Sequence, residues 1–260
     1  MLVTAVVMLQ SARLSLAQAF KMLREYHKWH SPALNREMEL LTFGHAGARV
    51  IVFPTSQGRF FDWENRNMHH ALEHHLENGW LQLYCIDSVD SESWFNHHAS
   101  PTDRAHRHLQ YHDYVINEVL PFTQNKNDNP YVIAAGASFG AYHSFSIALR
   151  FPKSFNRVLG MSGVYDVREW THNEMNDVIR EGSPADYVGA LHDPQHIEDI
   201  KRLDMIIAIG DGDPLFGNNK WFSDELWGKG IWHAFRVWDG FAHDWPQWHD
   251  MILHYIGGSD

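Results

Sequence analysis

The chain is 260 residues long, 44% apolar and 20% charged, with a formal net charge of -11 at pH 7. That length and apolar share suit a globular chain with a sizeable core and exclude an intrinsically disordered one. The negative balance argues against nucleic acid as a partner, since phosphate binding needs a basic face. The single cysteine, Cys85, excludes an internal disulfide.

In chain order, residues 1–21 come first and open with the apolar run MLVTAVVMLQ, too short to span a bilayer. Ala17-Gln18-Ala19 has the small-x-small form of a signal cleavage site, but no basic residue precedes the apolar run. We set this segment apart as an N-terminal extension, with Met22 as an alternative start. The reading favours a cytoplasmic chain without a membrane span, and a secreted one if residues 1–19 act as a signal peptide.

Residues 22–260 read as one α/β domain. Strands are expected at Glu37–Phe43, Arg49–Phe53, Leu81–Ile86, Tyr131–Ala135, Val158–Met161, Met205–Ile209 and Trp232–Trp238. Helices are expected at Asn65–Glu77, Arg104–Leu120, Ser138–Arg150, Lys220–Trp227 and Pro246–Tyr255. Such alternation predicts βαβ units and a mostly parallel sheet with helices on both faces. Residues 164–202 carry no strand signal and read as an insertion over the strand ends. Cys85 sits inside an apolar strand run and reads as a buried, inert thiol.

The chemistry points to PYVIAAGASFGA, residues 130–141. An apolar strand meets Gly136, then Ser138, then Gly140, and a helix follows. A strand turning at once into a helix needs a tight bend, and glycines remove the side chains that would clash in it. The bend exposes the Ser138 hydroxyl, and the helix aims its first N–H groups at the same spot. Alone, the pentapeptide also occurs in Gly-rich turns with the serine as a plain N-cap; the strand before it and helix after it favour a nucleophile.

A serine nucleophile needs a base, and the base needs an orienting acid, here in the chain order Ser, Asp or Glu, His. The loop after the last strand holds His243, at the same sheet edge as Ser138, whereas His233, His249 and His254 fall within a strand or helix. The acid belongs in Gly210-Asp211-Gly212-Asp213-Pro214. Either aspartate can serve; Asp213 reaches further into the loop, while Asp211 is close enough to the strand to hold only the turn. The oxyanion donors are expected to be the Phe139 N–H and a loop N–H at Ser56 or Gln57.

Trp94, Phe95, Trp170, Trp221, Phe222 and Trp245 are aromatic candidates for a substrate pocket, with Trp94 and Trp245 preferred because each lies on a loop at the catalytic edge. His70 and His74, the pair His97 and His98, and the group His106, His108 and His112 have spacings seen in zinc sites, but no ligand set is completed, so they read as solvated faces and no metal is expected.

With these residues in place, the chain resembles the putative-esterase branch of the α/β-hydrolases, which contains esterase D (S-formylglutathione hydrolase), feruloyl esterases and the antigen 85 mycolyltransferases. The resemblance spans residues 36–257 and rests on Gly136-Ala-Ser138-Phe-Gly140, Gly210-Asp-Gly-Asp213 and His243-Asp-Trp245-Pro-Gln-Trp248. Tyr114-Val-Ile-Asn-Glu118-Val-Leu-Pro121 and Asp87-Ser-Val-Asp90-Ser-Glu-Ser-Trp94 add to it, while Pro54–Gly58 departs from the family's His-Gly oxyanion loop. It implies the α/β-hydrolase fold and a Ser138–Asp213–His243 triad, and supports Asp213 over Asp211. The expected activity is that of a serine carboxylesterase without a cofactor, acting on a small-molecule ester and compatible with a homo-oligomer. An acyltransferase with the same triad and a non-catalytic binding protein on the same scaffold are the alternatives.

Overall fold

The computed structural model describes residues 22–240 and 243–257. The N-terminal extension, and with it the signal-peptide reading, lies outside the described residues. Among those residues no helix is long and apolar enough to cross a membrane.

Eight strands form one sheet in the order β1-β2-β4-β3-β5-β6-β7-β8. They are β1 (Arg24–Ser31), β2 (Arg36–Phe43), β3 (Ala48–Phe53), β4 (Leu81–Ile86), β5 (Val132–Ala137), β6 (Arg157–Met161), β7 (Asp204–Gly210) and β8 (Ala234–Trp238). From β4 to β8 every pairing is parallel, and β1 and β2 close one side antiparallel. β4 and β5 are buried along their whole length, as expected for strands covered on both faces. Successive residues feed opposite cores: Ile51, Ala134 and Ile207 pack on one side, Val50, Ile133 and Ile206 on the other.

The sequence pattern assigns no element to β1, and the reason is its composition. It alternates regularly, yet the side turned inward carries Glu25, His27, Trp29 and Ser31, so apolar periodicity never develops. Polar pairing fixes it instead: the Trp29 indole N–H and the Ser31 hydroxyl each donate to the Glu118 carboxylate at 2.8 Å.

The helix expected over residues 65–77 resolves into α1 (Asp62–Asn65), α2 (Met68–Ala71) and α3 (Glu73–Glu77). Asn67, in the left-handed region at φ 59°, breaks the run. α4 (Pro101–Tyr114) is capped by the Ser100 hydroxyl, and a π-turn (Val115–Val119) carries the chain into α5 (Leu120–Lys126). That turn falls just before Pro121, whose ring supplies no N–H to a regular ladder. α6 (Phe139–Arg150) follows β5 directly.

Residues 164–202 hold no strand; they carry α7 (Arg168–Thr171), α8 (Asp177–Gly182), α9 (Pro184–Ala190) and α10 (Pro194–Ile200). Val167 and Ile179 pack with Phe139 at the start of α6, and Ala185 and Val188 join the main core. α11 (Phe216–Gly228) follows β7, and α12 (Trp245–Tyr255), capped by Asp244, closes the described chain.

Candidate active site

The turn between β5 and α6 is as tight as the glycine spacing predicts. A Cβ on Gly136 would lie 2.2 Å from the Gly140 carbonyl carbon, and one on Gly140 would lie 2.4 Å from the Phe53 oxygen. Neither contact is physical, so both positions require glycine. The strain is carried by Ser138, at φ 54° and ψ -120°, a conformation non-glycine residues rarely adopt. Its N–H is anchored to the Met161 carbonyl on neighbouring β6 at 2.8 Å, and its side chain is half-buried at the carboxyl edge of the sheet.

Two loops from later strands meet it there. Ser138 Oγ lies 3.3 Å from His243 Nε2, and His243 Nδ1 lies 3.0 Å from Asp213 Oδ2. Asp213 is 3% exposed and also accepts the Leu215 N–H at 2.8 Å. Burial by itself would raise the Asp213 pKa; hydrogen bonds from His243, the Leu215 N–H and Ser162 outweigh it and hold the carboxyl below the usual carboxylate value. Asp211 is exposed and turned away, accepting the Gly240 N–H at 2.8 Å. Ser162, buried and at φ 50°, accepts the Trp248 indole N–H at 3.1 Å and so ties α12 to the floor beneath Asp213.

As the first residue of α6, Phe139 has an N–H without an intrahelical acceptor, beside the Ser138 hydroxyl. The loop after β3 treats its two candidate donors differently. The Gln57 N–H is engaged, donating to Asp90 Oδ2 at 2.9 Å. Ser56 is exposed, and its N–H donates to no acceptor among the described residues.

The pocket aromatics need two corrections, and the first is that Phe222 is fully buried in the main core against Phe145 and Tyr165. Trp94 is fully buried, packed in the cluster of Phe139, Tyr142 and Ile179, and offers no surface to a ligand. Its sequence neighbour Phe95 and the distant Trp170 are half-buried and flank Phe139 at ring distances of 5.2 Å each. Trp245 is half-buried, 5.0 Å from the Trp248 ring and under the Arg66 guanidinium.

The histidine groups also need one. His70, His74, His97, His98 and His106 face outward, but His108 and His112 are buried against each other and Tyr142, not solvated. No group of three or more His, Cys, Asp or Glu among the described residues is arranged to hold a metal. Cys85 is buried, and burial pushes its thiol far above the usual range, which removes it as a nucleophile. A cleft of about 570 Å³ opens at the opposite, amino edge of the sheet beside Trp80, Tyr131 and Arg157, and it contains no nucleophile–base pair.

A model of the family described as "Putative esterase" matches residues 83–253. The structure is similar to a ferulic acid esterase, with a TM-score of 0.72 and 18% identity, over 92% of this chain and 98% of that one. It is similar to the S-formylglutathione hydrolase of Staphylococcus aureus, with a TM-score of 0.61 and 19% identity, over 91% of this chain and 95% of that one. An S-formylglutathione hydrolase of Agrobacterium tumefaciens gives a TM-score of 0.69 at 14% identity, over 90% of this chain and 92% of that one. At these identities the neighbours bear on the fold alone, and that fold is the α/β-hydrolase fold. Comparison of the sequence with curated proteins gives no match.

Proposed function

The chain belongs to the putative esterase family, and within that family of ester hydrolases we propose that it is a serine carboxylesterase working through an acyl-enzyme on Ser138. The observation that carries this reading is the continuous path from Ser138 Oγ through His243, at 3.3 Å, to Asp213, at 3.0 Å. The serine hydroxyl is a poor nucleophile until a base removes its proton. His243 Nε2 takes that proton as Oγ attacks the ester carbonyl carbon, and Asp213 holds the Nδ1–H tautomer and stabilises the imidazolium that forms.

The carbonyl oxygen becomes an oxyanion, held by the Phe139 N–H and the Ser56 N–H; one such donor is worth about 10²–10³ in kcat. The tetrahedral adduct collapses, His243 returns its proton to the departing alkoxide, and alcohol leaves. Water then enters, gives its proton to His243 and attacks the acyl carbon, and a second collapse releases the carboxylic acid and restores Ser138. No step calls for a cofactor. The half-buried Phe95 and Trp170 next to Phe139 form an apolar wall for the acyl or alcohol part of the ester.

The test is hydrolysis of p-nitrophenyl esters together with covalent labelling by a fluorophosphonate. Both are expected in the wild-type chain and both absent in Ser138→Ala, which removes one hydroxyl and leaves the fold. Turnover by Ser138→Ala near the wild-type rate would remove the assignment.

A further inference from the structure

Behind the proposed oxyanion loop lies a second buried acid–histidine pair that the triad does not use. Asp90, 1% exposed, follows β4; His143, 1% exposed, lies on α6. Asp90 Oδ1 is 2.8 Å from His143 Nε2, and Asp90 Oδ2 accepts the Gln57 N–H at 2.9 Å. His143 Nδ1 is buried with no partner among the described residues. A proton on Nδ1 would be an unpaired buried donor, so the ring carries it on Nε2 and donates it to Asp90. The imidazole is held by Phe53, 5.9 Å away and stacked, and by the edge of Phe139 at 4.9 Å.

The hydrogen bonds of the loop itself explain what this pair can do. The Thr55 N–H donates to Asp62 Oδ2 at 3.0 Å, the Gly58 N–H returns to the Thr55 oxygen at 2.8 Å, and the Gln57 N–H goes to Asp90. Those bonds hold the peptides on both sides of Ser56. The Thr55 carbonyl points towards Gly58, and in a trans peptide the Ser56 N–H must therefore point the other way. Gln57 is left-handed, at φ 55°, a conformation a free glutamine seldom holds. Its link to Asp90 opposes relaxation of that strained residue and so holds the Ser56–Gln57 peptide, on the C-terminal side of Ser56, in place.

We propose that Asp90, held by His143, is a positioning residue that fixes the loop after β3 so that the Ser56 N–H is the second oxyanion donor. The sheet order β4-β3-β5 makes this feasible, because it sets side by side the loops that carry Asp90, Gln57 and Ser138. One carboxylate thereby joins the oxyanion loop to the nucleophile helix. The backbone carbonyl of Asp90 separately anchors the Ser93 and Phe95 N–H groups, so a change confined to its side chain spares that turn. Asp90 touches neither substrate nor reacting atoms, and its effect belongs in the transition state alone. This rests on the esterase reading, and the experiment separates the two.

Asp90→Ala and Asp90→Asn are compared with wild type on p-nitrophenyl acetate, with folding checked by circular dichroism and thermal melting. Asp90→Ala is expected to lower kcat about 10²-fold with KM within about twofold, the pattern of an interaction made only in the transition state. A trifluoromethyl ketone, whose serine adduct bears an oxyanion, should lose affinity by the same factor as kcat/KM. Asp90→Asn keeps an oxygen for the Gln57 N–H, but its amide N–H can pair with His143 Nε2 only if the ring proton moves to the unpartnered Nδ1, so it should recover part of the rate. This variant also covers the case in which Asp90→Ala does not fold: a folded Asp90→Asn as inactive as Ser138→Ala overturns the proposal. So does a folded Asp90→Ala with wild-type kcat, or a loss confined to KM, while Ser138→Ala is dead and the esterase reading stands. A wild-type chain that turns over no ester removes both.

Discussion

His243 Nδ1 lies 3.0 Å from Asp213 Oδ2, and that contact divides the labour between two aspartates the sequence leaves in one short loop. Asp213 is buried and faces the imidazole; Asp211 is exposed and holds the Gly240 N–H at 2.8 Å. Asp213→Asn should therefore lower kcat strongly, because an amide disfavours the productive tautomer, an effect of order 10⁴ in a serine protease triad. Asp211→Asn retains an oxygen for Gly240 and should stay within a few-fold of wild type. Steady-state kinetics of the two variants decides, and a dead Asp211→Asn beside an active Asp213→Asn would reverse their roles.

Activity should fall with acid through one ionisation. Asp213 is held below the ordinary carboxylate value, because its hydrogen bonds outweigh the opposing effect of burial, so it stays charged as the pH drops. An imidazole base must be neutral to accept the Ser138 proton, and histidines as a class change charge between about pH 5 and 8. A kcat/KM profile flat across that range would remove His243 as the base. EDTA should leave the rate unchanged, since among the described residues no set of ligands is arranged for a metal; inhibition by EDTA that zinc reverses would show otherwise.

The fold itself should weaken in mild acid. Burial, reinforced by neighbouring positive and titratable groups, pushes His108 and His112 well below the ordinary histidine value. The folded chain thus keeps both neutral while the unfolded chain protonates them below about pH 6.5, so the unfolded state binds more protons and stability drops as pH falls. Each contributes a slope of about 1.4 kcal/mol per pH unit down to its depressed folded value. Urea melts at pH 7.5, 6.5 and 5.5 should show this loss, and His108→Phe should make it shallower. An unchanged slope in that variant would mean that His108 is protonated in the folded state.

Gly140→Ala should damage the site through sterics. The added methyl would meet the Phe53 oxygen at 2.4 Å and the Pro54 oxygen at 2.8 Å, forcing α6 and the loop after β3 apart. We expect a stability loss of about 1–3 kcal/mol, typical of overpacking, and a fall in kcat from the displaced oxyanion donors. Gly217→Ala is the control: it meets nothing within 4 Å, and alanine is the better helix former by up to about 1 kcal/mol. Equal melting temperatures for the two variants would show that the turn has slack.

What the linear sequence determined is what local forces decide. Apolar runs covered on both faces announce parallel strands, and the Gly136-x-Ser138-x-Gly140 spacing announces the bend, because only glycine tolerates the close approaches there. The position of His243 follows from its loop lying at the same strand edge. Everything that depends on which strands are neighbours was left to the tertiary structure. β1 has no apolar signal, since its inward side is satisfied by Glu118, far along the chain. Trp94 and Phe95 are adjacent in sequence, yet one is sealed in the core and the other is only half-buried, against Phe139 and Trp170. His108 and His112 look like a solvated helical pair until α6 and its aromatic rings cover them. The difference between Ser56 and Gln57 is of the same kind: the Gln57 N–H is taken up by Asp90, brought beside the loop only because β4 and β5 flank β3. Periodicity reports which side of an element is apolar, whereas hydrogen-bond partners across the sheet depend on strand order, which no single segment encodes.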